Sequence, residues 1–144
     1  MSEINKAIIC RVVEEGINKH NNAVFAELYP NCLYHSSATG DLKGEAHRKF
    51  MDSILTAFPD GQETVQDQLA EGDKVMTRWT FTATHKGMFM GIAATGKKFT
   101  ITGVCIDRIV GGKIVEEWEE WDALGMMRQL GVAPVAQVET KIAA

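Results

Sequence analysis

Asp122 stands directly after a run of glutamates. The stretch from Gly111 to Gly131 reads GGKIVEEWEEWDALGMMRQLG, with Glu116, Glu117, Glu119 and Glu120 flanking Trp118. Burial in an apolar lining disfavours the charged form of a carboxyl group and raises its pKa. Such a group becomes a usable general acid or base near neutral pH. On this reasoning Asp122 is the candidate proton carrier. The same residue suits a second role, because Asp is a favoured N-cap for the helix expected to follow it. His35, in the short run CLYHS, is the second candidate catalytic residue, with a structural hydrogen-bonded role as the alternative. The histidines are scattered, without HxH, HxxxH or CxxC spacing, so no metal site is expected. His20 and His47 fall among polar residues on predicted helices and are set aside. His85, at a strand end beside Lys86, reads as solvated.

The elements that must position these groups follow from periodicity. Ile4, Ile8, Ile9, Val12, Val13 and Ile17 have helical spacing. Asn21 and Asn22 cap a second short helix carrying Val24, Phe25 and Leu28, which Pro30 stops. Cys32–Ser36 reads as a short strand with Tyr34 and His35 on opposite faces. A third helix starts at Glu45, with Phe50, Met51, Ile54, Leu55 and Phe58 on one side, and ends at Pro59-Asp60-Gly61. Strands are predicted at Gln62–Ala70, Lys74–His85, Phe99–Val110 and Lys113–Trp121, with a short helix over Asp122–Leu130. Three helices in the N-terminal half on one curved antiparallel sheet make an α+β domain. Its open end is a cone-shaped hollow suited to a small ligand. Residues 1–131 form the expected single domain and 132–144 a tail.

Register about the Gly111-Gly112 turn pairs Ile109 with Ile114, Asp107 with Glu116, Cys105 with Trp118 and Ile101 with Asp122. Paired residues share a face. The face with Phe99, Ile101, Cys105, Ile109, Ile114 and Trp118 is the more apolar, so it is assigned to the hollow together with Asp107, Glu116, Glu120 and Asp122. A bulge would swap the assignment beyond it. Asp67 falls opposite Arg78 as an ion pair across the neighbouring hairpin. Trp118, Cys105, Ile101 and Arg78 are therefore expected substrate-binding residues. Phe89 and Met90, with Ile92 in a glycine-rich loop, are also expected at the substrate, either as plain core contacts or as a mobile apolar lid over the pocket.

Composition narrows the function classes. The 144 residues carry 15 Lys and Arg against 19 Asp and Glu, a formal net charge of −4. No basic stripe is present, so nucleic acid is not an expected partner. No apolar stretch approaches the ~18 residues of a membrane span. The N-terminus lacks a signal-peptide pattern, and the three cysteines, Cys10, Cys32 and Cys105, lack CxxC spacing. A cytoplasmic protein with reduced thiols is expected. The apolar residues on the outer sheet face (Val104, Ile106, Val115, Trp121) suggest a homodimer.

The ordered set FPDG, EGDKV, RWT, THKG, ATG, GGKIVEEW and D…QLG resembles the SnoaL-like polyketide cyclase family, within the nuclear-transport-factor-like superfamily of α+β cone folds. The resemblance covers roughly residues 5–131. It implies a cofactor-free ring closure. An aspartate at the end of the last strand takes a proton from a polyketide methyl ester, and the enolate attacks a carbonyl in an intramolecular aldol step. Asp122 matches that aspartate by its place after GGKIVEEW. The family's histidine on the preceding strand has no counterpart after His85; Cys105 or Asp107 stands near its place. Ala93-Ala94 replaces the usual proline before the loop TG.

Three functions fit this reading. The first is an acid/base enzyme, of cyclase, lyase or isomerase type, acting on a hydrophobic carbonyl compound. The second is a non-catalytic module that sequesters an apolar ligand in the same hollow. The third is an epoxide hydrolase or dehydratase relative, in which Arg78 and a carboxylate would converge on one water.

Overall fold

In the computed structural model, which describes residues 2–133, the chain forms an open six-stranded sheet closed on one face by helices. The expected tail lies outside the described residues from position 134 onward. Helix α1 (Ser2–Arg11) runs on through a π-helical turn, Val12–Ile17, and α2 (Asn22–Leu28) follows. Asn21 caps α2 by accepting the Ala23 N–H, as its residue type favours. Strands β1 (Leu33–His35) and β2 (Leu42–Lys43) precede α3 (Glu45–Ala57). Four long strands follow: β3 (Gln62–Glu71), β4 (Lys74–Thr84), β5 (Lys98–Val110) and β6 (Lys113–Trp121). Helix α4 (Ala123–Gln129) closes the described chain.

The α+β architecture is as the sequence reading has it. The strand order is β2-β1-β6-β5-β4-β3. One pairing differs from an all-antiparallel sheet: β1 runs parallel to β6, with Leu33 opposite Glu116 and His35 opposite Trp118. The short β2 strand, hidden in a glycine-punctuated loop, pairs with β1. No helix among the described residues is long and apolar enough to cross a membrane. All three cysteines are free, Cys32 and Cys105 being buried.

The core lies between the sheet's concave face and the helices. Ile9, Val12 and Ile17 meet Phe25 and Leu28, and these face Trp79, Phe81, Phe99 and Ile101 across the interior. Along β5 the alternation is clean: Phe99, Ile101, Gly103, Cys105, Asp107 and Ile109 all turn inward. Gly103 is required by proximity, because a Cβ there would overlap the Trp79 indole. Overpacking of this kind typically costs about 1–3 kcal/mol. Gly103→Val is expected to lose about that much unfolding free energy, read as a lower midpoint in urea titration with an unchanged slope.

Candidate active site

The hollow at the open end of the cone is a cavity of about 80 Å³, room for several waters or part of a small organic molecule. Its walls come from α1, α3, β3, β4, β5 and β6, with Phe89 from the β4–β5 loop and Met126 from α4. Most of the lining is aliphatic or aromatic. Four carboxyl side chains interrupt it: Glu63, Asp107, Glu117 and Glu119.

Three of these were not assigned to the hollow from sequence, and a single bulge accounts for two of them. Between Arg108 and Ile109 the β5–β6 register shifts, leaving Val115 as an extra residue. Ile109 pairs with Ile114 as expected, but Asp107 pairs with Glu117 and Cys105 with Glu119. A bulge of one residue flips every side chain beyond it. Glu117, Glu119 and Trp121 therefore face inward, while Glu116, Trp118 and Glu120 face outward. The third, Glu63, lies on β3, whose facing the sequence reading left open.

Asp107 and Glu117 are 1% and 4% exposed. Burial raises both, and Glu117 rises further because the Asp107 charge is beside it and the two carboxyls share a hydrogen bond. Asp107 rises less, since Glu117 and the Cys105 thiol both donate to it, the thiol at 3.4 Å. Both carboxyls are thus raised, and the pair shares a proton between them. Tyr29 Oη donates to Glu117 Oε2 at 3.3 Å. Glu119 is pushed up to about 8 by burial and by Glu117, against a 2.9 Å hydrogen bond from Tyr34 Oη. The Trp79 indole N–H also favours the Glu119 carboxylate, although its geometry falls short of a full hydrogen bond. Glu63 is raised well above the carboxylate range by burial and by the Glu119 and Glu117 charges.

His47 was set aside on sequence and is fully buried here. It lies between Tyr34, stacked at 4.7 Å, and Tyr29, edge-on at 5.0 Å. Its Nε2 is 4.0 Å from Glu117 Oε1, and burial lowers its pKa to about 4, so the ring is neutral. The signal was present: position 47 is three and four residues before Phe50 and Met51, on the inward stripe of α3.

The residues expected from sequence are not gathered at one place. Phe89, Cys105 and Ile101 line the hollow. Asp122 is exposed and caps α4, accepting the Gly125 N–H at 2.8 Å. It does not line the hollow, and its expected pairing with Ile101 is replaced by a backbone bond from Asp122 N to Thr102 O. Trp118 is 36% exposed on the outer face, where His35 stacks on it. His35 itself bridges Asp41 (3.0 Å) and Glu116 (2.8 Å) and is raised, first by the Glu116 bond. Arg78 binds Asp67 at 2.7 Å, the expected cross-strand pair, with both side chains exposed and away from the hollow. Met90 adopts a positive φ of 48° beside the loop bridge Phe89–Ile92 and is partly exposed. Among the described residues, no group of three or more His, Cys, Asp and Glu side chains is arranged to hold a metal ion.

The SnoaL-like polyketide cyclase pattern matches residues 7–130, nearly the whole described chain. The chain belongs to that family. No curated protein matches this SnoaL-like chain by sequence. Among solved structures, AclR from Streptomyces galilaeus is 30% identical with a TM-score of 0.83, over 95% of this chain and 91% of that one. IdmH from Streptomyces antibioticus is 30% identical with a TM-score of 0.75, over 89% and 99% of the two chains. A SnoaL-like protein from Jannaschia sp. CCS1, at 21% identity and a TM-score of 0.82 over 92% and 95%, shares the fold.

The SnoaL-like hollow links stability to pH. Glu119 titrates near 8 in the fold and near about 4.3 in an unfolded chain. Between those values the folded state holds more protons, so unfolding free energy falls as pH rises. Raised Asp107, Glu117 and Glu63 act in the same direction, as does His35. Carboxylates with lowered pKa, such as Asp60 held by Thr84, act only at acid pH, and His47, lowered to about 4, opposes the trend below about pH 6.5 but is outnumbered by the raised carboxyls. Thermal midpoints measured from pH 5 to pH 8 are expected to decline, and Glu119→Gln is expected to flatten the slope.

Proposed function

We propose that the protein is a cofactor-independent acid/base catalyst acting on a hydrophobic carbonyl compound, with ring closure by an intramolecular aldol step as its reaction type. The observation that carries this reading is the diagonal pair Asp107 and Glu119 on the hollow wall. They sit on paired strands, two residues out of register, which places such residues about 7–8 Å apart. Asp107, in the state where the shared proton sits on Glu117, takes the acidic α-proton of the substrate. The enolate carbon attacks the second carbonyl carbon. Glu119, protonated at neutral pH, donates its proton to the resulting alkoxide. The proton held by Asp107 then returns to Glu119 through solvent or product, so the sequence is neutral in protons. Tyr29 and Tyr34 hold Glu117 and Glu119 in place by hydrogen bonds, neutral His47 packs between the two phenol rings, and the walls are largely aromatic.

This assignment moves the chemistry from Asp122 to the hollow. In deuterated water, the wild type is expected to accelerate α-proton exchange of 2-tetralone, followed by NMR. Asp107→Asn and Glu119→Gln are each expected to lose about 10²–10⁴-fold of that acceleration. Asp122→Ala is expected to lose roughly 1 kcal/mol of stability through the cap and to retain exchange within a few-fold. Equal exchange in the Asp107 and Glu119 variants and the wild type would overturn the reading.

We also propose a homodimer through the outer sheet face. Val104, Ile106 and Trp118 are exposed together there, while Trp121 belongs to the hollow. Light scattering is expected to give twice the chain mass, and Ile106→Glu to shift it toward the monomer.

A further inference from the structure

The proposed acid/base chemistry leaves one inward carboxyl unused. Glu63 lines the hollow from β3, on the side away from β6 in the strand order. Its backbone is fixed by Asn18, which accepts from Glu63 N at 2.7 Å and donates to Glu63 O at 2.9 Å. Its carboxyl has no hydrogen-bond or ion-pair partner among the described residues. Trp79 lines the same space, and its indole N–H is buried without a hydrogen-bond partner. Asp107 Oδ1 is likewise buried without an N–H or hydroxyl donor.

The charge balance of the wall is one-sided. Among the described residues four carboxyl side chains line it, and no lysine, arginine or histidine does. The nearest histidine, His47, is neutral. An anionic ligand would meet only carboxyls and would be buried without a counter-charge, which is costly. A neutral ligand would leave the Asp107 charge uncompensated. A cation finds the charge of the Asp107–Glu117 pair, further carboxyls that can ionise beside it, and the faces of Trp79, Trp121, Phe50 and Phe89, the surroundings that stabilise a partly desolvated ammonium.

We propose that the hollow selects a hydrophobic molecule bearing a protonated amine, with the nitrogen held at Glu63 and the reacting carbonyl toward Asp107 and Glu119. This rests on the reading of the hollow as the active site and adds the substrate class. Binding an ammonium beside Glu63 favours its ionised form, so amine binding releases up to about one proton.

Three ligands of matched shape test this: N,N-dimethylbenzylamine, its neutral isostere isobutylbenzene, and phenylacetate. Tryptophan fluorescence is expected to show the amine binding at least about tenfold more tightly than isobutylbenzene, and phenylacetate not binding. Calorimetry in two buffers of different ionisation enthalpy is expected to register proton release with the amine alone. Glu63→Gln is expected to remove most of the amine preference while changing isobutylbenzene affinity less than about threefold. Equal wild-type affinity for amine and isobutylbenzene, or amine binding without proton release, overturns the proposal. The two readings fail separately. Lost amine preference with 2-tetralone exchange intact removes the substrate class alone. Amine preference without exchange removes the acid/base reading and leaves the amine site standing.

Discussion

Val115 has no partner on β5, and the interior of this protein depends on that. The extra residue sits one step after the inward Ile114 and just before β6 begins to pair with β1. Every side chain from Glu116 to Trp121 takes its direction from it. Without the bulge, Glu116, Trp118 and Glu120 would fill the cone, and the wall would hold no Asp107–Glu117 pair. With it, the outward residues form a polar seam to β1: His35 on Glu116, and Ser37 on Glu120. One unpaired residue thus separates a surface network from an interior one along a single strand.

The interior network is costly in isolation. Burying a carboxyl without a partner is unfavourable, and here several are gathered. Hydrogen bonds from Tyr29, Tyr34 and Cys105 offset part of the cost, and protonation offsets more. The apolar packing of the helices against β4 and β5 supplies what remains. Such a trade of stability against a set of groups tuned to neutral pH is characteristic of functional sites.

Much of the fold was legible in the sequence because its signals were local. The Gly111-Gly112 turn, the alternation along β5, the Asn21 cap and the Pro59-Asp60-Gly61 stop each act within a few residues. The Asp67–Arg78 pair followed from a turn and a count. The candidate site was legible only in part. Phe89, Cys105 and Ile101 came from patterns that hold in the structure. Glu117 and Glu119 depended on a bulge that leaves no mark in KIVEEWEEW, where apolar residues occur at both parities. His47 had a readable position on α3, but its polar neighbours Arg48 and Lys49 masked the stripe it belongs to. Asp122 shows the opposite case: a residue whose cap chemistry was readable and whose distance from the hollow was not.

The β4–β5 loop is fastened at its base, where His85 N bonds Lys97 O and Gly96 N bonds His85 O. Between those clasps Phe89 is its one contribution to the wall of the hollow. The loop can therefore change length or sequence without disturbing the sheet ladder that carries the carboxyls. Loops from other SnoaL-like proteins grafted between His85 and Lys97 would change one side of the hollow and leave its carboxyl-bearing strands intact.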